Sequence, residues 1–545
     1  MRSLRSVYLP TILLLATLLQ ITSSLHGQSL LSDTRVAAKD AVALPESQSI
    51  AWHGPVNFGN VNVCPAGQQS PKPCSDTAKV KYSVTAKTTF GPVLVVTQGQ
   101  PNLDFNLKST TCTGTISAGS SCTVIVNFRP LSAGVRLGGI QLTDSSGNVL
   151  TSTYIYGNGQ GPAPAFNPGV QTEIPVSGYT GDAMAVDTAG NVYFAVGGNS
   201  IAKFNIVTGL QTIVATGVPT AQYVMGMTVD GIGDIFVSGN GVTEIAAVSG
   251  IQTGIEKDLN ASAGIAVDGK GNLYVGDDWD TWGHHQFGWP RLTEISARTG
   301  KEQTLLSGYV ADQGNPFINF PFGVAVDGAT NAYIACLNFG PVFESLANTP
   351  PESGGGVIAS RQYTTVGNFG SPSAVTVDAA GDVFVVNGGI YEVQAGTGIE
   401  TMLVDWPFEV QMALDAASDL FFPDQSGDGM LEFEGLVPAI LDFGSVPVGT
   451  TSAPQSITIQ NIGNQSLNAV SPGVTISAPF AQVRGSGPFA DCTPNFSLAP
   501  GAACNLSIVF APKAKGTVTG TATFTDNALN NSQASQTVTL QGTGT

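Results

Sequence analysis

One short stretch holds most of the side chains in this 545-residue chain that could bind a ligand or support catalysis. The sequence contains only four histidines, and two of them, His284 and His285, fall within residues 277–290, DDWDTWGHHQFGWP. The same stretch carries three of the five tryptophans and several aspartates. Aromatic rings beside a few carboxylates are typical of a site for a sugar or a peptide, because the rings supply apolar contact area and the carboxylates accept hydrogen bonds.

The same residues are poorly arranged for metal chemistry. Adjacent side chains of an extended segment point to opposite sides, so His284 and His285 are a poor pair of ligands for one ion. The sequence also lacks a supported G-x-S-x-G nucleophile motif, a phosphate-binding loop and a dinucleotide fingerprint. We therefore predict no catalytic residue, no metal site and no cofactor. Metal catalysis by this stretch and a self-packed loop remain the alternatives to a ligand-binding loop.

A repeated element must position this stretch. Six related segments occur along the chain, and residues 264–277, GIAVDGKGNLYVGD, are the clearest. In each, an apolar residue stands three positions before an aspartate, Asn or Asp stands four positions after it, and an aromatic residue six after it. Apolar residues at period two around a polar turn predict a β-hairpin whose aspartate caps turn amides. The six aspartates are Asp187, Asp230, Asp268, Asp327, Asp378 and Asp415.

The repeated pattern V-D-x-x-G-N-x-Y-V resembles the NHL repeat, and the resemblance covers residues 170 to about 437. It implies a β-propeller, and six repeats imply six blades. Hairpins at a fixed period that cannot bury themselves alone also indicate a repeat array. Because this fold hosts lyases, lactonases and plain binding modules, the resemblance does not identify an activity.

Propeller topology is expected to bring the candidate ligand-binding residues to one face. The loop between the second and third strands of a blade lies on the same face as the loop into the next blade. Residues 277–290 and 307–323 occupy these two positions in and after the third blade, and loops on a rigid scaffold often carry function. The candidate residues are Trp279, Asp280, Trp282, His284, His285, Trp289, Tyr309 and Trp406.

The two ends of the array are predicted to pair with each other. Five repeats are followed by a plausible fourth strand, but the sixth runs through Pro438 into another domain. An unpaired blade edge would leave backbone donors and acceptors exposed. A spare strand, VQTEIPV at 170–176, precedes the first repeat. We predict that it pairs with residues 430–433 as the outermost strand of the sixth blade.

Residues 51–161 and 438–545 form a second internal repeat. VNFGNVNV in the first segment matches LDFGSVPV in the second, and SSCTVIVNFRP matches AACNLSIVFAP. Short alternating strands separated by turn signals predict two β-sandwiches. Both segments resemble the abnormal-spindle/hydin-type (choice-of-anchor D) immunoglobulin-like domain, which implies spacing or anchoring rather than chemistry. The proline-rich residues 162–169 are predicted to be a stiff linker into the propeller.

The N-terminus and the composition indicate a secreted protein. Arg2 and Arg5 precede an apolar run and small residues, as in a secretory signal peptide over residues 1–27, and residues 28–50 follow as a flexible leader. No later segment of the sequence is long and apolar enough to predict a membrane span. The net charge of −18 is opposite to that expected of a nucleic-acid-binding protein.

The seven cysteines fit an oxidising compartment. Six of them form three local pairs, separated by ten, ten and twelve residues, and each pair could close a short loop. Cys336 is left over, and we predict that it is buried in a strand and takes part in no disulfide. The predicted disulfides are Cys64–Cys74, Cys112–Cys122 and Cys492–Cys504.

These observations predict an all-β protein, with a six-bladed β-propeller over residues 170–437 between two immunoglobulin-like β-sandwiches. The predicted function is non-catalytic binding or adhesion by a monomer that is secreted or held at the cell envelope. One propeller face would be presented to an extracellular glycan, peptide or protein ligand. Two alternatives stay open: a propeller lyase or hydrolase that uses residues 277–290, and a passive structural spacer.

Overall fold

The computed structural model describes residues 49–545, which form one compact unit, with short gaps and almost entirely as β-strands and turns. One 3-10 helix, Ala528–Asn530, is the exception among the described residues. Only the backbone is described for residues 180–182, 262, 352–354 and 357–359. The gaps are 52, 66–67, 69–70, 198, 219–223, 240, 256–258, 260–261, 278–289, 308–320, 338–340, 350–351, 355–356, 360, 368, 406–410 and 425–428.

The first nine strands form a β-sandwich. They are β1 (Val56–Asn62), β2 (Asp76–Ser83), β3 (Thr88–Thr97), β4 (Gln100–Pro101), β5 (Phe105–Thr110), β6 (Gly114–Ile116), β7 (Ser121–Phe128), β8 (Gly134–Asp144) and β9 (Val149–Gln160). One sheet has the order β1-β9-β8-β3-β4, with β6 also paired to β3, and the other has the order β2-β7-β5. Phe58, Phe105 and Phe128 meet in the core between the sheets, where their rings lie 4.7–5.6 Å apart.

Two short strands follow the sandwich, and the middle of the chain then forms six antiparallel sheets. These two strands are β10 (Pro164–Asn167) and β11 (Gly169–Ile174). The first sheet comprises β12 (Tyr179–Val186), β13 (Val192–Val196), β14 (Ser200–Asn205) and β15 (Leu210–Ala215). The second comprises β16 (Gly226–Val229), β17 (Ile235–Gly239), β18 (Gly241–Ile245) and β19 (Gln252–Ile255). The third comprises β20 (Ser262–Val267), β21 (Leu273–Asp277), β22 (Arg291–Ile295) and β23 (Glu302–Ser307).

The other three sheets complete a ring. The fourth sheet comprises β24 (Pro321–Val326), β25 (Ala332–Cys336), β26 (Val342–Ser345) and β29 (Tyr363–Val366). The fifth comprises β30 (Ala374–Val377), β31 (Val383–Val386), β32 (Ile390–Val393) and β33 (Glu400–Val404). The sixth comprises β34 (Ala413–Leu414), β35 (Leu420–Pro423) and β36 (Met430–Pro438) together with β11. A hairpin of β27 (Glu352–Gly354) and β28 (Val357–Ala359) extends the third sheet. The first strand of each sheet contacts that of the next, and β34 contacts β12, so the arrangement is propeller-like and closed.

The aspartate of each repeat caps its hairpin turn, as the sequence predicts. In all six copies Oδ1 accepts the backbone N–H groups of the residues two and four positions further on, at 2.8–3.1 Å. The residue three positions further on has positive φ in every copy. Glycine occupies it four times, because only glycine adopts this conformation without steric cost. Thr330 and Ser418 adopt it in the other two copies, at 66° and 64°.

The predicted closure of the ring is confirmed. Strand β11 pairs antiparallel with β36, from Val170 opposite Glu434 to Ile174 opposite Met430. It is the outermost strand of the sixth sheet, beyond β36, β35 and β34. The strand spans Gly169–Ile174, so it begins one residue earlier and ends two residues earlier than the predicted segment.

The prediction of a linker over residues 162–169 is wrong, because strand β10 belongs to a second sandwich. That sandwich also contains β37 (Leu441–Val446), β38 (Gln455–Asn461), β39 (Leu467–Ile476), β40 (Phe480–Val483), β41 (Ser497–Leu498), β42 (Ala503–Phe510), β43 (Gly516–Asp526) and β44 (Ala534–Gly544). Its sheets have the orders β10-β38-β42-β40 and β37-β44-β43-β39-β41. Phe166 is 2% exposed in its core, 6.0 Å from the ring of Phe524. The ring of six sheets is therefore inserted between the first two strands of this sandwich.

The two sandwiches share one topology, in agreement with the internal repeat seen in the sequence. In the first sandwich, Ile50 forms a β-bridge with Val84, just after the end of β2. In the second sandwich, β10 takes the corresponding position and pairs with β38. The next strand then moves to the other sheet and pairs in parallel with the last strand, β1 with β9 and β37 with β44.

All three predicted disulfides are present. The Cα atoms are 5.6 Å apart in Cys64–Cys74, 4.9 Å in Cys112–Cys122 and 5.0 Å in Cys492–Cys504. These separations lie within the range that a disulfide requires. Cys336 ends strand β25 as a buried thiol outside the three disulfides.

The first sandwich packs its β8–β9 side against the turns of the ring. Tyr154 Oη donates to Asp230 Oδ2 at 2.7 Å, and Gln100 Nε2 donates to Asp187 Oδ2 at 2.9 Å. Backbones approach closely, because a Cβ atom at Gly231 of the ring would overlap the backbone of Gly138 in β8. The second sandwich reaches the fifth sheet through Gln460, as described below, so both sandwiches cover the same face.

A charged side chain stands opposite the repeat aromatic in each sheet of the ring. It is Lys203 in the first sheet, where Nζ lies 3.6 Å from Asp187 Oδ2. In the other five sheets it is a glutamate. The five glutamates and their aromatic partners are Glu244 with Phe236, Glu294 with Tyr274, Glu344 with Tyr333, Glu392 with Phe384 and Glu432 with Phe421.

Gln460 of the second sandwich bonds two buried acids in the fifth sheet, Glu392 and Asp382, and Asp382 stands four positions after the capping Asp378. Its Nε2 donates to Asp382 Oδ2 at 2.9 Å and also donates to Glu392 Oε1. Burial raises the pKa of Asp382 to about 6 and that of Glu392 to about 8. The folded protein therefore holds protons that the unfolded chain has released, and the free energy of unfolding falls as pH rises from about 4 to 8.

The contribution of the ring closure to stability is tested by replacing its buried apolar residue, Ile174 of β11. Ile174 is 2% exposed, and Ile174→Ala is expected to lower the free energy of unfolding by about 2–4 kcal/mol, because it leaves a cavity where the ends of the ring meet. Ile213→Ala is the control, since Ile213 is 54% exposed on β15, another outer strand. Denaturant unfolding measures both variants, and equal losses would contradict a stabilising role for the closure.

The pH dependence is tested with Glu392→Gln, which removes a buried ionisable group and keeps its shape. We expect this variant to be more stable than the parent at pH 8 by on the order of 1–2 kcal/mol, and equal to it near pH 5. Glu173→Gln, at an exposed position of β11, is the control and should change little at either pH. Denaturant midpoints across this range give the result. Parent stability that rises between pH 5 and 8 would show that these carboxyls are not buried as described.

Candidate functional site

The capped turns lie on the face of the ring that the sandwiches cover, and they enclose a polar cavity. The cavity has a volume of about 540 Å³ and lies between the first sandwich and five of the six capped turns. Arg136 lines it and is 3% exposed, with Nε and Nη2 donating to Asp104 Oδ2 at 3.0 and 2.8 Å. The capping aspartates that line the cavity are Asp187, Asp268, Asp327, Asp378 and Asp415.

The charged groups of this cavity are already engaged in holding the fold. Burial raises the pKa of Asp268, Asp327, Asp378 and Asp415, while the nearby Arg136 charge partly offsets the effect at Asp415. Each aspartate also accepts hydrogen bonds from its own turn. Among the described residues, no group of three or more His, Cys, Asp or Glu side chains is placed to hold a metal ion. The cavity therefore follows from the docking of the sandwich.

The opposite face of the ring is where the long segments begin and end. Strand β21 starts at the capped turn of the third sheet and ends at Asp277, on the far side, and β22 starts there at Arg291. The segment 308–320 likewise lies between the end of β23 and the start of β24, and 405–412 between the end of β33 and the start of β34. Antiparallel strands that alternate between two faces bring all these ends to the uncovered face.

An ion pair fixes the base of the tryptophan-rich stretch. Asp277 and Arg291 stand opposite each other as the last residue of β21 and the first of β22. Arg291 Nε and Nη2 each lie 3.1 Å from Asp277 Oδ2, and Asp277 is fully buried. A charge-assisted pair at a strand end holds both ends of an insertion in register. The segment 278–289 thus leaves from, and returns to, a rigid base.

The neighbouring outer strand is reinforced at the same face. Strand β28 pairs with β23, with Ala359 opposite Leu306 and Ile358 opposite Ser307, so it supports the strand end from which segment 308–320 leaves. Arg361 follows this hairpin, and its Nη2 donates to Glu294 Oε2 of the third sheet at 2.7 Å. The hairpin and Arg361 therefore tie the third and fourth sheets together.

The eight candidate ligand-binding residues all lie outside the described residues, whereas the described strand ends locate the base of their segments. Sequence reasoning included Asp277 in the stretch but missed Arg291 as its partner. The signal for this ion pair in the sequence was an acidic residue at the last position of one strand followed by a basic residue at the first position of the next strand. The eight candidates are Trp279, Asp280, Trp282, His284, His285, Trp289, Tyr309 and Trp406.

Comparisons with known proteins concern the fold. Residues 433–534 match the family model described as "Abnormal spindle-like microcephaly-assoc'd, ASPM-SPD-2-Hydin", so this part of the chain is an ASH-type domain. No curated protein matches the sequence. Similar solved structures include a gluconolactonase from Xanthomonas campestris, which is 13% identical with a TM-score of 0.38 and covers 50% of this chain and 96% of its own.

Two further solved structures are similar to parts of the chain. An auxiliary nutrient binding protein from Bacteroides ovatus is 12% identical, with a TM-score of 0.34, and the match covers 65% of this chain and 94% of that one. The ASH/PapD-like domain 7 of human CEP192 is 18% identical, with a TM-score of 0.15, and the match covers 19% of this chain and 80% of that one.

Proposed function

We propose that this chain is a secreted or envelope-held binding protein, in which a six-bladed NHL-type propeller stands between two immunoglobulin-like domains and presents its uncovered face to a glycan or peptide. The observation that carries the proposal is the asymmetry of the ring. One face is occupied by the chain's own sandwiches, and the aromatic-rich segments start from the other. Binding, rather than catalysis, is the role that this arrangement supports best.

The base of the site favours recognition. The buried Asp277–Arg291 pair and the β27–β28 hairpin hold the ends of both long segments on fixed strands. Loops whose ends are fixed lose less conformational entropy on binding, so their aromatic and carboxylate side chains contribute more of their contact energy to affinity.

Secretion is supported by the disulfides. Three disulfides are typical of proteins that fold in an oxidising compartment. They agree with the signal peptide that the first 27 residues resemble. Among the described residues, we find no helix with the length and apolar character needed to cross a membrane. A monomer with one ligand face is the simplest form of this proposal.

Glycan and peptide arrays probed with the secreted chain test the function. We expect selective binding to a set of glycans or peptides, and Trp279→Ala and Trp282→Ala should each weaken it by about tenfold, as expected for loss of an aromatic contact. Leu210→Ala and Ile251→Ala are the controls, because these side chains are 61% and 63% exposed on or beside outer strands of the ring. Neither control should change binding.

Three results would contradict the proposal. Equal binding by the parent and both tryptophan variants would mean that the stretch is self-packed. Absence of binding to any array ligand would favour a structural spacer. Release of cleaved product from a bound glycan, seen by mass spectrometry and lost in His284→Ala or Asp280→Ala, would favour a lyase or hydrolase.

A further inference from the structure

The first sandwich is a basic domain in an acidic protein. Residues 51–161 carry five lysines and two arginines against three aspartates and no glutamate, a net charge of +4, whereas the whole chain carries −18. Both arginines are used internally, Arg136 by Asp104 and Arg129 by the carbonyl oxygens of Cys64 and Pro65. The lysines, all exposed, are Lys72, Lys79, Lys81, Lys87 and Lys108.

Strand β2 turns two of these lysines to the outer side of the β2-β7-β5 sheet. Val80 and Tyr82 are each 1% exposed in the core, so strand alternation directs Lys79 and Lys81 away from it. The two positions are about 7 Å apart along the strand. The ammonium groups therefore form a short row of positive charge on a regular backbone.

Lys108 adds a third charge at the other edge of the same sheet. It lies at the bulge in β5, where the pairing with β7 shifts between Leu107 and Ser109. Ser109 and Lys79 both stand opposite Ile125 of the central strand, one on each side. Both edge strands of this three-stranded sheet thus contribute cations.

These lysines are not neutralised by the protein's own acids. Lys79, Lys81 and Lys108 have no carboxylate within salt-bridge distance in the part of the chain that the structure describes. Asp76 is the one acidic residue in the sequences of the three strands, and its Oδ1 accepts the N–H of Thr77 at 2.7 Å. The charge on this face is therefore open to an external partner.

The orientation of the sheet makes the face accessible. The contacts described above between the first sandwich and the ring come from β8, β9 and the β3–β4 turn, which belong to the opposite sheet. The β2-β7-β5 sheet lies on the far side of the sandwich core, so its outer side is turned away from the acidic ring.

The neighbouring side chains identify the class of partner. Exposed serine hydroxyls at Ser83, Ser109 and Ser121 accompany the lysines, and hydroxyl groups can exchange hydrogen bonds with sugar hydroxyls. The aromatic residues of the three strands are all buried, so no stacking platform for nucleic-acid bases is present in them. Among the large apolar side chains of these strands, Leu107 is 41% exposed and Ile125 is half-buried, which is too little apolar surface for membrane insertion.

We propose that the outer face of the β2-β7-β5 sheet binds an acidic polysaccharide, with Lys79, Lys81 and Lys108 contacting its carboxylates. The site is separate from the uncovered face of the ring. It adds a second ligand to the proposed function and gives the protein a means of attachment to an anionic matrix while the ring remains available.

Binding of the secreted chain to immobilised polygalacturonate tests this inference. We expect salt-sensitive binding that is strong at about 50 mM NaCl and weak at about 300 mM, because the lysines are exposed and screened. The triple variant K79Q/K81Q/K108Q should bind at least about tenfold more weakly. The triple variant K301Q/K513Q/K515Q removes the same charge from exposed lysines elsewhere, and its affinity should stay within about twofold of the parent.

Other outcomes would overturn the inference. Equally weakened binding by both triple variants would show that only the net charge of the protein matters. Tighter binding to phosphatidylglycerol vesicles than to polygalacturonate would show that the face binds lipid instead. Absence of binding to polygalacturonate at low salt would show that this face is not a site for an acidic polysaccharide. Matching thermal unfolding of the two variants confirms that both are folded. Trp279→Ala should keep its affinity for polygalacturonate, so failure of the ring's proposed function and failure of this site are distinguishable.

Discussion

The pairing of β11 with β36 is the interaction on which the rest of the structure depends. A ring of sheets leaves two open ends, and backbone groups at an open edge must find partners. Here β11, the first strand of the ring in chain order, pairs with β36, the last strand of the ring, from Val170 opposite Glu434 onward. Strand β10 and strand β37, on either side of the ring, both lie in the second sandwich. The chain thus leaves one domain and returns to it, so closing the ring and completing the sandwich reinforce each other.

The second constraint is the burial of carboxyl groups on the covered face. Burying an acid is unfavourable unless hydrogen bonds compensate. Each capping aspartate receives amide hydrogens from its own turn, and the sandwiches supply further donors in the first, second and fifth sheets, where Gln100 donates to Asp187 in the first. Tyr154 donates to Asp230 in the second sheet, and Gln460 donates to Asp382 in the fifth. The turns of the ring and the surfaces of the sandwiches therefore fit as donors and acceptors, which commits this face to contacts within the chain.

Local features of the fold could be predicted from the sequence because one segment determines each of them. The capped turns follow from spacings within a hairpin, the disulfides from cysteines ten or twelve residues apart, and the closing strand from its likeness to other outer strands. Strand β10 could not be predicted, because it has four residues, lies among prolines and pairs with Gln455–Asn461, almost 300 residues away. Gln460 and Arg361 were missed for the same reason, since their partners lie in other sheets. The eight candidate site residues remain predictions.

The covered face also determines where the remaining functions can lie. With the capped turns occupied, the ring offers its opposite face, and the first sandwich offers the sheet turned away from the ring. The first surface is built on strand ends fixed by Asp277 and Arg291, and the second on lysines spaced by the strand itself. They are separated by the ring and by the core of the first sandwich, and neither shares a residue with the other. A ligand at one surface therefore leaves the other exposed, and a mutation at one changes its own binding without altering the contacts of the other.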